Sequence, residues 1–197
     1  MNTLKVQTRD LKVKAKKLRR EGYITGNLYG KNIEKSIPLK FARKESEKDL
    51  RGCGRGTQIM LDVEGKLYDA LIKDIAYDSA KNQILEIDFQ ALVSNEKVHS
   101  VAEIIVHNKE KVQEGVVEQV LSEVSYRAYP SALVDKIEID AGEMHVGDTV
   151  KVKDLAIACN KDIDLQTDPE TTVVTVFAVH TSAPDDDGEN GDEPAES

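Results

Sequence analysis

Tryptophan is absent from this chain of 197 residues, aromatics make up only 5% of it, and cysteine occurs twice. With so few rings, any core must rest on Val, Ile and Leu, and the β-branched residues among these favour pleated strands. Cys53 and Cys159 stand far apart and match no metal-ligand spacing. They read as two reduced thiols of a cytoplasmic protein, with a single bridge between them as the other reading. No apolar run approaches the roughly 20 residues needed to cross a bilayer, so no membrane partner is expected. The opening Met1-Asn2-Thr3-Leu4-Lys5-Val6 lacks the apolar stretch of a secretory signal.

Chemistry is missing as well. His99, His107, His145 and His180 are scattered, without metal-like spacing to one another or to a cysteine. Neither a nucleophile elbow, a zinc-protease helix nor a P-loop is present. Gly52-Cys53-Gly54-Arg55-Gly56 has the glycines of a phosphate cradle, but such a cradle needs a strand before it and a helix after it. Here the order is reversed, which makes it a connector, with Arg55 as an added phosphate contact. Glu138 and Asp140 alternate along one side of a strand and mark a solvated face before acid–base chemistry. The expectation is therefore no enzyme, no metal and no cofactor.

What the chain does have is a division of charge. Residues 1–93 hold 19 Lys and Arg against 13 Asp and Glu, while residues 94–197 hold 8 against 23, within an overall net charge of −9. Six of the cations fall in the nine positions from Lys12 to Arg20. One half of the molecule can approach phosphate and the other repels it, a division that the global pI near 5.0 conceals.

Periodicity supplies the elements. Leu4 to Thr8, Ile24 to Tyr29 and Lys35 to Lys40 read as strands, and Ala15 to Glu21 and Arg43 to Arg51 as short helices. In the first helix Ala15 and Leu18 share one side, and Lys16, Lys17 and Arg20 project roughly opposite, with Gly22 as the stop. Glu64-Gly65 between Thr57 to Val63 and Lys66 to Tyr77 is a hairpin signal. In Gln83 to Gln90, Leu85, Ile87 and Phe89 point one way and Glu86 and Asp88 the other. The expected fold is mainly β with short helices (α+β), beginning with a closed or nearly closed β-barrel.

The sign of the charge changes at Ala91 to Asn95, the expected boundary. Beyond it Val98 to Val106, Val116 to Ala128, Lys136 to Asp140, Thr149 to Val152 and Thr171 to Val179 are β-branched, interrupted at 130–134 and 154–158. Val116 to Leu121 reads equally as a helix. The expected layout is a basic barrel over 1–93, a mostly β domain over 94–182, and a disordered acidic tail over 183–197.

A basic helix is usually only a solvated surface. Here the cations are nearly unrelieved by acid from Val13 to Arg20, the excess extends through residue 60, and Tyr29 follows on the next strand. Lysine offers phosphate a point charge, and arginine a planar fork. Glu86 and Asp88 add acceptors, which suit a ribose 2′-OH or a guanine amino group in the wide minor groove of A-form RNA. Cations mixed with a few acceptors favour folded RNA over DNA.

Lys16-Lys17-Leu18-Arg19-Arg20-Glu21-Gly22 leading to Leu28-Tyr29-Gly30, and Leu71-Ile72-Lys73-Asp74-Ile75 followed by Ile87-Asp88-Phe89, resemble the signature of a bacterial ribosomal family. That family is large-subunit protein twenty-five, in its long form, the general stress protein Ctc. The second half matches through Gly115-Val116-Val117-Glu118-Gln119-Val120-Leu121, Ile139-Asp140, Val146-Gly147-Asp148 and Lys153-Asp154-Leu155. The resemblance implies a 5S rRNA-binding protein of the large subunit. Its barrel would be similar to the anticodon-binding domain of glutaminyl-tRNA synthetase, followed by a β domain that the short form lacks.

Carried over by position, the resemblance implies RNA contacts at Arg9, Arg19, Arg20, Tyr29 and Asp88, with Lys14 and Lys73 as further basic residues, and helical spacing adds Lys16 on the polar side of the first helix. The second domain would face away from the rRNA or meet a basic ribosomal protein neighbour. Two positions depart from the family pattern. Thr25 stands where proline is typical, which loosens a turn and removes no contact. Glu86 stands where histidine is presented to RNA. A glutamate beside phosphate is repelled, for a loss on the order of 1–2 kcal/mol, unless it turns to solvent or pairs with Lys73 or an arginine. The alternative function is a stress-associated protein-interaction module with reduced or lost rRNA binding.

Overall fold

The computed structural model describes residues 3–178, apart from Asn82, Gln113 and Glu114. The expected acidic tail over 183–197 lies outside the described residues, as do His180 and the end of the last expected strand. Six strands come first, β1 (Thr3–Thr8), β2 (Tyr23–Tyr29), β3 (Ile37–Ala42), β4 (Gln58–Val63), β5 (Lys66–Asp78) and β6 (Gln83–Ala91). They close into a barrel in the order β1-β3-β2-β6-β5-β4, with β1 returning to β4 in parallel. Closure removes the exposed edges that would otherwise invite pairing with another chain.

Helix α1 (Ala15–Arg20) lies against β2, and α2 (Arg43–Asp49) follows β3 directly. Alternation sets the inside of the barrel. Leu4 and Val6, Ile24 and Leu28, Leu39 and Phe41, Ile59 and Leu61, and Ile87 and Phe89 meet in one core, where Phe41 and Phe89 pack edge to face. The Glu64-Gly65 turn forms as expected, with φ of 53° and 92°. Two successive positive φ values give the turn twist that suits a two-residue hairpin.

Seven further strands follow the barrel: β7 (Val98–His107), β8 (Gly115–Gln119), β9 (Glu123–Ala128), β10 (Lys136–Asp140), β11 (Thr149–Lys151), β12 (Ile163–Leu165) and β13 (Thr172–Ala178). They make two sheets, β10-β7-β9-β12 and β11-β13-β8, which share a core of Ile104, Val124, Tyr126, Ile137, Val173 and Val174 among others. The segment at 116–121, open between helix and strand in the sequence, is a strand through Gln119, paired with β13. The expected interruptions are one-turn helices, Pro130–Ala132 and then Val152–Asp154 and Ala156–Cys159.

Tyr126 is the largest fully buried side chain. Its hydroxyl donates to the Val134 carbonyl at 2.7 Å and accepts from the Val134 amide at 2.8 Å. Burial pushes the phenol above its ordinary pKa. Tyr126→Phe removes one oxygen and strands two partly buried backbone groups of Val134, so a loss of about 1–3 kcal/mol is expected in chemical denaturation. A cost under about half a kcal/mol would mean that water satisfies Val134 instead.

The two halves are in contact. The Lys73 ammonium donates to the His99 carbonyl at 2.7 Å, and the Arg55 guanidinium reaches Asp74 at 3.4 Å and Glu123 at 3.6 Å. Gly56, with φ of 84°, packs directly beneath the Val101 carbonyl.

Candidate nucleic-acid interface

The barrel presents one polar outer face, built where β2 runs parallel to β6. Thr25 pairs in register with Glu86, Asn27 with Asp88, and Tyr29 with Gln90. Since side chains alternate along a strand, these six stand on one side in three rows. On the neighbouring strands, Lys40 of β3 lies opposite Thr25, and Asp74 of β5 opposite Asp88. A bulge between Ile72 and Asp74 takes Lys73 out of the ladder.

Helix α1 covers the first of those rows. Leu18 is its buried residue, and Arg19 leans onto the barrel. The Arg19 Nε donates to the Leu85 carbonyl at 3.2 Å, and its Nη2 donates to Glu86 Oε2 at 3.0 Å and to Thr25 Oγ1 at 3.3 Å. The two side chains of this ion pair are 29% and 36% exposed. Thr25 is fully buried in the middle of β2, and its hydroxyl also reaches the Leu85 carbonyl at 3.4 Å. The sequence had suggested that it loosens a turn, but it lies within a strand. The two departures from the family pattern are instead cross-strand partners that hold the same arginine.

The remaining cations of the block behave differently. Lys12, Lys14, Lys16, Lys17 and Arg20 are all exposed. Lys17 makes a long pair with Glu21 at 3.9 Å, while the side chains of Lys14, Lys16 and Arg20 make no hydrogen bond or ion pair among the described residues. The Asp10 turn, with its carboxylate on the Lys12 amide at 2.9 Å, leads into this segment. Arg9 folds back, its Nη2 donating to the Val13 carbonyl at 3.1 Å. The outward positive charge therefore sits mostly on the rim of the face, on Lys12 to Arg20, with Lys40 of β3 as a cation on the strands.

The strands supply acceptors. Asn27 Nδ2 donates to Asp88 Oδ1 at 3.1 Å, leaving the second carboxylate oxygen for another donor. Tyr29 is 38% exposed at the end of β2. Its phenol is held above the ordinary pKa by partial burial, and then by the negative charges of Asp88 and Asp74. It therefore stays a neutral donor at physiological pH.

The sequence-derived candidates thus separate into groups. Arg19, Tyr29, Glu86 and Asp88 share the face, while Lys14, Lys16 and Arg20 line its rim. Arg9 is turned onto its own loop. Lys73 is directed at the second half, where burial and then the Arg55 charge lower its pKa. Asn27 and Asp74 belong to the face and were not singled out from the sequence. The parity of Asn27 with Thr25 and Tyr29 marks it, but Asp74 is displaced by a bulge that no periodicity announces. No group of His, Cys, Asp or Glu among the described residues has the arrangement of a metal site.

Two family models match the chain. The model of the Ribosomal L25p family covers residues 4–89, and that of the C-terminal domain of ribosomal protein TL5 covers residues 97–180. Among curated proteins, the chain is similar to the large ribosomal subunit protein bL25 of Listeria monocytogenes, 31% identical over 98% of this chain and 99% of that one. It is 30% identical to the protein of the same name from Bacillus velezensis, over 98% of each chain. The Thermoanaerobacter sp. protein is 29% identical over 85% of this chain and 84% of its own.

Proposed function

From its membership of the Ribosomal L25p family, as a structural constituent of the large ribosomal subunit, we propose that this chain binds 5S rRNA through residues 1–93. One observation carries the reading. Five exposed cations, Lys12, Lys14, Lys16, Lys17 and Arg20, border a neutral-to-acidic face that holds Tyr29 and Asp88. The rim would take phosphates, which position the RNA, and the face would take groups that phosphate-binding alone does not distinguish. Asp88 accepts from a 2′-OH or a guanine amino group, and Tyr29 stacks on a base or donates from its phenol. The ribosome is accordingly where the protein works, in the cytoplasm, and its role is binding, not turnover.

If about five phosphates are neutralised, affinity for 5S rRNA should fall roughly a hundredfold or more between about 50 and about 200 mM salt. Filter binding or fluorescence anisotropy reads this, and an affinity indifferent to salt refutes it. A second reading, a stress-associated protein-interaction module with reduced rRNA contact, is favoured by the internal neutralisation of Arg19 by Glu86 and by the acidic second half, which suits a basic protein neighbour. Cosedimentation with large subunits supports the first reading. Absence from them, with recovery in a protein complex, supports the second.

A further inference from the structure

The centre of the face holds a cation that is no longer free to act as one. Arg19 spends its Nε on a backbone carbonyl and its Nη2 on Glu86 and Thr25, in a geometry fixed by the β2–β6 register. These bonds leave out one nitrogen, Nη1, and one carboxylate oxygen, Glu86 Oε1. The pair is neutral overall, is only partly buried, and keeps one donor group and one acceptor. A phosphate arriving here would gain a single donor and face an anionic oxygen at close range, with little net attraction. A sugar hydroxyl or a purine amino group can donate to Oε1, and a neighbouring acceptor can take Nη1. One row further along β2 and β6, Asn27 and Asp88 form a second cross-strand pair, this one anionic, with one acceptor oxygen of each left over.

Resting on the 5S reading above, we propose that Glu86 converts Arg19 from a phosphate contact into part of a reader of hydrogen-bond donors, ribose 2′-OH or base amino groups. Glu86 is then a specificity-determining residue, not a defect in a cationic surface. The rim holds the RNA ionically, and the two cross-strand pairs, both offering acceptors, test what lies between the phosphates.

Glu86→Gln is the direct test, because it keeps the shape and removes the charge that occupies Arg19. Affinity for 5S rRNA and for an unrelated A-form RNA duplex is measured over a range of salt with full-length protein. With Arg19 released, the variant should gain about one phosphate contact, steepening the log–log salt slope by roughly 0.9 on both RNAs. It should also bind a 2′-deoxy duplex of the same sequence with a smaller penalty than the parent does. Parallel slopes for parent and variant, or a shallower slope for the variant, overturn the proposal. Equal affinity of the parent for both RNAs refutes the 5S reading while leaving the slope comparison intact, and no binding to any RNA sinks both. Arg19→Ala provides the check on wiring: in the Glu86→Gln background its loss should take away the added contact and return the slope to about that of the parent.

Discussion

Replacing Lys16 and Arg20 together with alanine is expected to weaken 5S rRNA binding roughly thirty- to a hundredfold at about 0.1 M salt. The magnitude follows from counterion release. Each phosphate neutralised contributes about 0.9 to the log–log slope, so two lost contacts remove about 1.8 from it. Lys16 and Arg20 stand apart from the rest of the molecule. Both stand on the outer side of α1, opposite the buried Leu18, and neither makes an internal hydrogen bond or ion pair among the described residues. Their loss therefore leaves the fold untouched, and circular dichroism melts of parent and variant should coincide. Removing equal charge from the second half, at Lys109 and Lys111, should leave the slope as it was. If that control weakened binding as much as the rim pair, long-range net charge would account for the effect and the rim would lose its role.

Much of this arrangement could be read in the chain itself, because it depends on local rules. Strand parity placed Ile87 and Phe89 inside and Glu86 and Asp88 outside. Helical spacing put Leu18 under α1 and Arg20 over it, and Glu64-Gly65 announced a turn. What escaped needed partners distant in sequence. β12 (Ile163–Leu165) is three residues long, with one acid in its middle, and exists only because β9 offers an open edge. Val116 to Gln119, whose β-branched residues left it open between strand and helix, is decided by its pairing with β13, some sixty residues on.

The site divides the same way. The exposed cations were legible as a run. That Arg19, in the middle of the run, belongs to the strands and not to the rim depends on Thr25 and Glu86 being register partners. Each of those two residues looks like an isolated departure in the sequence. Only pairing shows that they act on one guanidinium. Lys73 was likewise placed with the RNA contacts by its neighbours in the chain, yet the bulge after Ile72 directs its ammonium to the His99 carbonyl.

The seam to which Lys73 belongs leads to the second large effect, at Gly56. Gly56 and Gly65 have nearly the same backbone conformation, φ of 84° and 92°, so replacing either with alanine carries a similar left-handed penalty of about 1–2 kcal/mol. Their surroundings differ entirely. A Cβ on Gly65 meets nothing within 4 Å, whereas one on Gly56 would overlap the Val101 carbonyl, with Ser100 Oγ at 3.1 Å. Backbone cannot rotate aside as a flexible side chain can. Gly56 also donates its amide to the Ile72 carbonyl at 2.9 Å, so its own position is pinned from the barrel side. Relief must come from moving the second half off the barrel, which breaks the Lys73–His99 hydrogen bond and the Arg55–Glu123 pair together. Gly56→Ala should therefore cost about 3 kcal/mol or more, against about 1–2 for Gly65→Ala, and the excess should appear as loss of amide protection on both sides of the seam. Because the contact touches the face only through the Arg55–Asp74 pair, and α1, β2 and β6 lie outside it, 5S rRNA affinity of the Gly56 variant should stay within about threefold of the parent at temperatures where the barrel is folded, about 0.65 kcal/mol of difference. Equal costs at the two glycines would show that the halves do not press together at Val101. A large loss of affinity would show instead that the seam supports the RNA face.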